Sequence, residues 1–232
     1  MKDATAESQA VVLKDIPFNL KKDDVIKQLN LRKDSERIKT IVGELTELVN
    51  IHAVPKAIYK RSVASNEGRD IRVDGVELIS WVPTLVFRPD ELVYPYVATC
   101  GLEIDLVQIP KTDFMKHYIM NQIKQILLFF TSEYLQNHLI QAYKLKQVTH
   151  IGPGEALGPT SQQKQLFDII GDVEGEIGVR LSDHNLMIPE KSSSGILFET
   201  AVRLERCQLC PDAKCEARRT AYEPKILLSH RP

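Results

Sequence analysis

The feature that most constrains the fold is a long stretch of helical periodicity over residues 112–146. Apolar side chains recur there every three or four residues and so share one face of a helix; they are Ile119, Ile123, Ile126, Leu127, Phe130 and Tyr134. Such a helix needs an apolar surface on which to bury this face. Because the segments around it have the two-residue period of β-strands, the sequence predicts one long central helix packed on a sheet.

Strand-type patterns lie on both sides of this helix. Residues 57–63 alternate, and residues 71–78 are typical of a hairpin that turns at Asp74-Gly75, because glycine tolerates the positive φ of such a turn. Further runs rich in β-branched and aromatic residues cover 84–87 and 92–99, and two short β runs cover 178–181 and 195–198. The sequence therefore predicts an α+β fold, with a twisted antiparallel sheet packed with helices.

Shorter helical patterns and the two ends of the chain complete the predicted organisation. Helices are expected from Lys22 onward, over residues 34–49 with Asp34 as N-cap, and after the 152–159 loop with Ser161 as N-cap. Residues 1–15 have no sustained period and are expected to form a flexible arm. Residues 16–200 are expected to form one domain, and residues 201–232 a cysteine-rich basic segment packed on that domain.

Composition excludes several classes of function. The chain has 232 residues, 43% hydrophobic, which is enough for a real core, and its 30 basic residues nearly balance 31 acidic ones. No net field would attract nucleic acid or an anionic membrane surface. The most apolar run, residues 126–130, is far shorter than the roughly 20 residues of a membrane span. The N-terminus lacks the pattern of a secretory signal, so a cytoplasmic location is expected.

Two glycine-containing stretches carry the functional hypothesis. The first is His150-Ile151-Gly152-Pro153-Gly154-Glu155, and the second runs from Asn185 to Ile196 and contains Pro189-Glu190-Lys191-Ser192-Ser193-Ser194-Gly195. A Gly-Pro-Gly turn exposes backbone N–H and C=O groups, and the serine-rich turn supplies hydroxyls and a cation beside a glycine that permits close approach. Taken singly, each stretch is typical of an ordinary surface turn. Their order along the chain is what favours a ligand site.

In that order and spacing, the two stretches resemble the reactivation domain of cobalamin-dependent methionine synthase and its stand-alone relatives. The strand motif Ile177-Gly178-Val179-Arg180-Leu181 between them and the upstream Gly101-Leu102-Glu103 extend the resemblance over residues 90–200, about half of the chain. The resemblance implies binding of S-adenosylmethionine. It also implies support for reductive remethylation of cobalamin carried by a corrinoid-binding methyltransferase domain, with an electron donor protein as a further partner. The chain would then be accessory to methionine synthase activity, not an independent catalyst.

The resemblance also assigns ligand contacts to two walls of one cleft. The assigned residues are His150, Gly152, Gly154 and Glu155 on the first wall, and Pro189, Lys191, Ser192, Ser194 and Gly195 on the second. The chain departs from the family at three positions. His150 stands where the family commonly has arginine, Glu155 where it has tyrosine, and Phe129 where it has an acidic residue one helical turn before Glu133. The Glu155 carboxylate would pair with the sulfonium or ammonium group of the ligand.

Three of the four cysteines lie within nine residues, at Cys207, Cys210 and Cys215. Thiolates this close can hold zinc or an iron–sulfur cluster, so these three are the predicted metal ligands, with Cys100 or a histidine as a fourth. A Cys-x-x-Cys dithiol redox switch and incidental reduced thiols are the alternatives. Basic residues around the segment would lower the thiol pKa values; they are Arg203, Arg206, Lys214, Arg218 and Arg219.

Three functional hypotheses follow. The first is an in-trans reactivation partner of a cobalamin-dependent methyltransferase, methionine synthase above all. The second is a cysteine-ligated metal or iron–sulfur redox protein of a corrinoid pathway that has lost S-adenosylmethionine binding. The third is a non-enzymatic interaction module with a decayed pocket. The first requires the turn at Gly154 and the bend near Gly195 to lie side by side.

Overall fold

The computed structural model describes residues 9–29, 35–67, 70–82, 87–202, 204–212, 214–215, 218–223 and 225. The strands in these ranges are β1 (Val11–Leu13), β2 (Lys56–Tyr59), β3 (Ser62–Glu67), β4 (Asp70–Val73), β5 (Val76–Leu78), β6 (Glu91–Thr99), β7 (Gln147–Ile151), β8 (Arg180–Leu181), β9 (Met187–Ile188) and β10 (Ser192–Thr200). The helices are α1 (Lys22–Leu29), α2 (Glu36–His52), α3 (Phe114–Tyr143), α4 (Gln163–Ile170), α5 (Val173–Ile177) and α6 (Arg206–Leu209). Two 3₁₀ turns cover Glu103–Leu106 and Thr160–Gln162.

The strand β6 is the centre of an antiparallel sheet. One edge of β6 pairs with β10, which in turn pairs with β7. Along the other edge, the C-terminal half of β6 pairs with β2 and its N-terminal half with β3. The sheet continues from β2 to β1 and from β3 through β4 to β5, while β8 and β9 form a separate small ladder. The hairpin predicted at Asp74-Gly75 is confirmed, and both residues have positive φ.

Helices cover both faces of this sheet. Because successive side chains of a strand point to opposite faces, Leu197 packs toward α3, with Leu135 and Leu139, whereas Ile196 and Phe198 pack toward α4. The helix α3 also packs against α2 and α1. Each buried aliphatic side chain of these layers contributes about 1.5–3 kcal/mol. The predicted α+β class, with an antiparallel sheet and one long central helix, is confirmed.

Two predicted helix caps are wrong. The N-cap of α2 is Ser35, whose hydroxyl accepts a hydrogen bond from the Ile38 N–H, and not Asp34, which lies outside the described residues. Ser161 does not cap α4, because it lies inside the preceding 3₁₀ turn. Carbonyl groups of that turn accept the Gln163 N–H, so the helix begins without a side-chain cap.

The N-terminal end of the chain also differs from expectation. Residues 11–13, expected within a flexible arm, form β1 and pair with β2, because the edge of β2 offers backbone groups that even a three-residue segment can satisfy. Most of the strand-type run 84–87 lies outside the described residues. Near the other end, Leu204 and Leu209 are buried in the same core as Phe198. Of the helices in the described ranges, none combines the length and apolar character that crossing a bilayer requires.

Candidate functional site

The pairing of β7 with β10 brings the two glycine-containing stretches together. In this ladder Ile151 lies opposite Ile196 and His150 opposite Leu197. The loop that contains Gly154 leaves the C-terminal end of β7, which adjoins the N-terminal end of β10, where the serine-rich stretch begins. The backbone at Gly152 lies so close to β10 that a Cβ atom there would be 3.0 Å from the Ser194 carbonyl oxygen. The two stretches therefore line one edge of the sheet.

The imidazole of His150 fills the space between the two glycines. A Cβ atom on Gly152 would lie 2.9 Å from His150 Nε2, and one on Gly195 would lie 2.5 Å from His150 Cε1 and would also collide with the Ile151 carbonyl oxygen. The close approach that these glycines permit is thus to a side chain of the protein itself. His150 is buried.

A polar network holds the His150 ring. The Tyr96 hydroxyl lies 2.8 Å from His150 Nδ1 and 3.3 Å from the Ser193 hydroxyl, and the two rings meet edge to face. On its other side, His150 Nε2 lies 3.7 Å from a carboxylate oxygen of Glu155. No sequence motif marks Tyr96, which lies on β6 directly opposite Gly195; identifying it requires the strand register. The site thus contains a titratable ring between a phenol and a carboxylate.

The loop after β7 is fixed by hydrogen bonds of its backbone and of a buried amide. Gly154 has φ +81°, and its N–H donates to the Gly158 carbonyl at 2.8 Å. The Gln162 amide donates to the carbonyls of Leu157 (2.6 Å) and Ile79 (3.0 Å) and accepts from the Ile79 N–H (2.5 Å). Nothing in the sequence marked Gln162. The backbone N–H of Trp81, the single tryptophan, donates to the Ala156 carbonyl, and its side chain is 44% exposed.

The second wall is the turn that leads into β10. A cis peptide bond joins Ile188 and Pro189, and the Ser192 hydroxyl lies 2.7 Å from the Pro189 carbonyl and 3.0 Å from the Thr99 hydroxyl. The Lys191 ammonium forms an ion pair with the Glu190 carboxylate at 3.7 Å. The backbone carbonyl of Lys191 accepts a hydrogen bond from the Cys100 N–H. The side chain of Ser194 is buried. Because strand side chains alternate, Ser192 and Ser194 share one face of the sheet, and Ser193 lies on the face of Tyr96 and His150.

Four further residues of the resemblance lie in the turn after β6 and on α3. Gly101 has φ +91°, and a Cβ atom there would be 2.5 Å from the Val54 carbonyl oxygen. Glu103 accepts a hydrogen bond from Lys56 at 2.7 Å. Burial alone would raise the pKa of Glu103, but the Lys56 and backbone hydrogen bonds outweigh it and lower that pKa. Phe129 is 49% exposed and Glu133 is also exposed, so both lie on the solvent face of α3.

The cysteine segment does not fit the predicted metal centre. In the described part of the chain, which includes all three predicted ligands, no three His, Cys, Asp or Glu side chains converge as a metal site requires. The loop instead wraps around the Arg218 guanidinium, which donates to the carbonyls of Cys207 (2.8 Å), Cys210 (2.9 Å) and Asp212 (2.6 Å). The positively charged guanidinium therefore occupies the interior of this loop, where a metal ion would have to bind. The thiols of Cys207 and Cys210 are partly buried, and that of Cys215 is exposed.

The local environment distinguishes Cys207 from the other thiols. The Arg219 backbone N–H donates to its sulfur at 3.4 Å and lowers the pKa of Cys207; burial opposes this effect, and the charge of Arg218 reinforces it. The carboxylate of Glu155 acts in the opposite direction, so Cys207 is within electrostatic range of the loop after β7. Burial raises the pKa of Cys100 to about 12. The side chains of Arg203 and Arg206, predicted to contribute positive charge here, lie outside the described residues.

Comparison with known proteins was informative for structure and not for sequence. No protein-family model matches the chain, and no curated protein matches it. A solved structure described as the MetH reactivation domain bound to AdoHcy is similar, with a TM-score of 0.53 over 90% of this chain and 81% of that chain, at 14% sequence identity. The sequences are far apart, but the order and arrangement of the elements agree. This chain therefore has the fold of the methionine synthase reactivation domain.

Proposed function

We propose that this chain binds S-adenosylmethionine between the loop after β7 and the turn before β10. In this proposal it acts in the cytoplasm as an in-trans reactivation partner of a cobalamin-dependent methyltransferase, with methionine synthase as the first candidate. One observation carries the proposal: the two sequence-distant stretches meet at one sheet edge, in a fold for which a solved example holds AdoHcy. The loop geometry is fixed in advance of binding, which reduces the entropic cost of ligand capture.

The polar groups at this edge suit the chemistry of the ligand. S-adenosylmethionine carries a cationic sulfonium and ammonium and an anionic carboxylate. The Glu155 side chain supplies a carboxylate on the loop, and Lys191 with Ser192 offers a cation and a hydroxyl on the other wall. Because His150 fills the gap between Gly152 and Gly195, the ligand is expected to lie over the Glu155 side of the loop and not between the glycines.

The accessory role follows from what these residues do. In this proposal the polar groups around His150 bind and orient the ligand, and the buried Tyr96 hydroxyl holds the ring in place. The methyl donor would be presented to cobalamin on a partner domain, with electrons from a separate donor protein. The chain's own contribution would be to hold the donor and to dock on the partner.

Ligand binding is testable with Trp81 as an internal reporter. It is the single tryptophan, partly exposed and hydrogen-bonded to the loop through its backbone, so a ligand that contacts the loop should change its fluorescence. We expect saturable binding of S-adenosylmethionine and of AdoHcy, by fluorescence and by calorimetry, and no response to ATP. Absence of saturation up to about 1 mM, where the binding free energy is only about −4 kcal/mol, would contradict the proposal.

The predicted role of Glu155 needs a matched control. The Glu155→Ala variant should bind S-adenosylmethionine roughly 10- to 150-fold more weakly, since a charge-assisted contact contributes roughly 1.5–3 kcal/mol. AdoHcy, which lacks the sulfonium charge, should lose less. The control is Glu47→Ala on the exposed face of α2, which should bind like the wild type. Equal weakening of both ligands would assign Glu155 to the ammonium group instead, and no weakening would remove it from the site.

The partner is identified by capture. The tagged full chain, incubated anaerobically with extract of its native cytoplasm, should retain a corrinoid methyltransferase, and S-adenosylmethionine should increase the amount retained. Recovery of a corrinoid protein other than methionine synthase would redirect the assignment. If no corrinoid protein is recovered although the chain binds S-adenosylmethionine, the ligand-binding part of the proposal stands and the in-trans role is refuted.

A further inference from the structure

The Cys-x-x-Cys sequence of residues 207–210 occupies a single helical turn. Cys207 lies in α6, and Cys210 follows its last residue. Positions three apart in an α-helix have Cα atoms about 5 Å apart, within the roughly 4.4–6.8 Å that a disulfide spans. Between them, Leu209 is buried in the core while both cysteines are only partly buried. Leu209 therefore anchors the turn and leaves its two thiols within reach of small reagents.

A single guanidinium fixes the backbones of both cysteines. Arg218 donates through one nitrogen to the Cys207 carbonyl and through the other to the Cys210 carbonyl. The next residue, Arg219, donates its backbone N–H to the Cys207 sulfur. A hydrogen-bond donor and a nearby cation both favour the thiolate over the thiol, which makes Cys207 the better nucleophile of the pair.

We infer that Cys207 and Cys210 form a reversible dithiol–disulfide site that takes a disulfide of the glutathione type as its oxidant. The Cys207 thiolate attacks one sulfur of the external disulfide and expels a thiolate, which leaves a mixed disulfide. The Cys210 thiol then loses its proton to water and attacks the Cys207 sulfur, expelling the second external thiolate. Two electrons pass from the dithiol to the external disulfide, and two external thiols are released.

The other cysteines are not part of this site. Cys215 lies beyond a separate turn, in which its N–H donates to the Asp212 carbonyl, and its thiol is exposed. Cys100 is 1% exposed in the core. The absence of a convergent three-thiol group in the described residues, and the guanidinium inside the loop, favour the dithiol over a metal centre. The inference does not depend on ligand binding at the β7–β10 edge.

The test is thiol counting at defined redox poise. The reduced full chain is equilibrated anaerobically with mixtures of reduced and oxidised glutathione, alkylated, and analysed by intact-mass and peptide mass spectrometry. We expect two of the four thiols to be lost together as the oxidised fraction rises, a bond that maps to Cys207 and Cys210, and recovery with a dithiol reductant. Cys215→Ser is the matched control and should oxidise like the wild type.

The single variants define the order of attack. Cys210→Ser should accumulate a mixed disulfide with glutathione on Cys207, whereas Cys207→Ser should react much more slowly at Cys210. Four thiols that stay reduced at every ratio would overturn the inference, as would loss of the bond in Cys215→Ser. Stoichiometric zinc binding that protects the thiols of Cys207, Cys210 and Cys215 from alkylation would also overturn it. If circular dichroism shows that a serine variant is unfolded, the inference is judged on the disulfide mapped in the wild-type protein.

Discussion

Substitution of Gly195 by alanine tests the packing at the centre of the candidate site. The added methyl would meet the Ile151 carbonyl oxygen and, at 2.5 Å, His150 Cε1. The carbonyl belongs to the β7–β10 ladder and cannot move without breaking strand pairing, and Tyr96 holds the ring from the other side. Overpacking of this kind costs about 1–3 kcal/mol. For a chain of this length, that cost lowers the melting temperature by roughly 2–12 °C.

The matched control is the same substitution at Gly43. This glycine lies inside α2, where alanine is favoured by about 1 kcal/mol, and its added methyl would meet only the flexible stem of Lys22 at 3.3 Å. We therefore expect opposite signs in urea denaturation: Gly195→Ala lowers the free energy of unfolding, and Gly43→Ala raises it or leaves it unchanged. A Gly195→Ala protein as stable as the wild type would refute the close packing of the imidazole between the glycines.

A double mutant separates the two contacts. His150→Ala removes the ring and leaves the Ile151 carbonyl in place, so it should restore part of the stability lost in Gly195→Ala. The coupling energy in this cycle is the share of the collision that belongs to the imidazole. Full additivity, with no restoration, would show that the carbonyl alone excludes a side chain at position 195.

Two further predictions concern groups outside the glycine contacts. The Gln162→Ala variant should lose about 3 kcal/mol in urea denaturation, because it removes three hydrogen bonds of about 1 kcal/mol each, one to the buried Leu157 carbonyl and two with the partly buried Ile79 backbone; a loss below about 1 kcal/mol would mean that water replaces the amide. Burial lowers the pKa of His138, which lies 3.1 Å from the Tyr59 hydroxyl, so the folded state binds this proton less tightly than the unfolded state. The stability that this effect contributes is complete above about pH 6.5 and declines as pH falls toward the folded pKa. The His138→Gln variant should show a smaller loss of stability over that interval in melts at a series of pH values, and an unchanged pH dependence would contradict the assignment.

Periodicity was sufficient to predict the layers of the fold, for a physical reason. The 30-residue helix repeats its apolar pattern often enough to define a buried face, whereas β6 was predicted from its β-branched and aromatic residues and is buried on both faces of the sheet. The three-residue strand β1 has no room for a pattern, and its position depends on the free edge of β2. The caps at Asp34 and Ser161 were wrong because neighbouring residues compete for the same backbone groups, and the tertiary context decides between them.

The sequence was sufficient to predict which backbone positions form the candidate site, but not which side chains contact them. The glycines at positions 152, 154 and 195 mark places where the chain turns or approaches a neighbour closely. What approaches is set by strand register, which the sequence does not state. Tyr96 joins the site because it pairs with Gly195 across β6 and β10, and Gln162 because a 3₁₀ turn aims its amide at the loop. The cysteine spacing was equally visible, but the guanidinium inside that loop comes from Arg218 in a separate turn.

The contacts of His150 also limit what its neighbour Glu155 can do. The Tyr96 hydroxyl occupies the environment of Nδ1, and Nε2 lies 3.7 Å from the Glu155 carboxylate. A protonated ring would compete with a cationic ligand for that carboxylate, whereas a neutral ring would not compete through its charge. S-adenosylmethionine binding through Glu155 should therefore strengthen as the ring loses its proton. The same pH dependence should be absent from a His150→Asn variant, which keeps a polar side chain of similar reach but cannot titrate. A calorimetric pH series on both proteins measures this coupling, and identical profiles would show that His150 and Glu155 act independently.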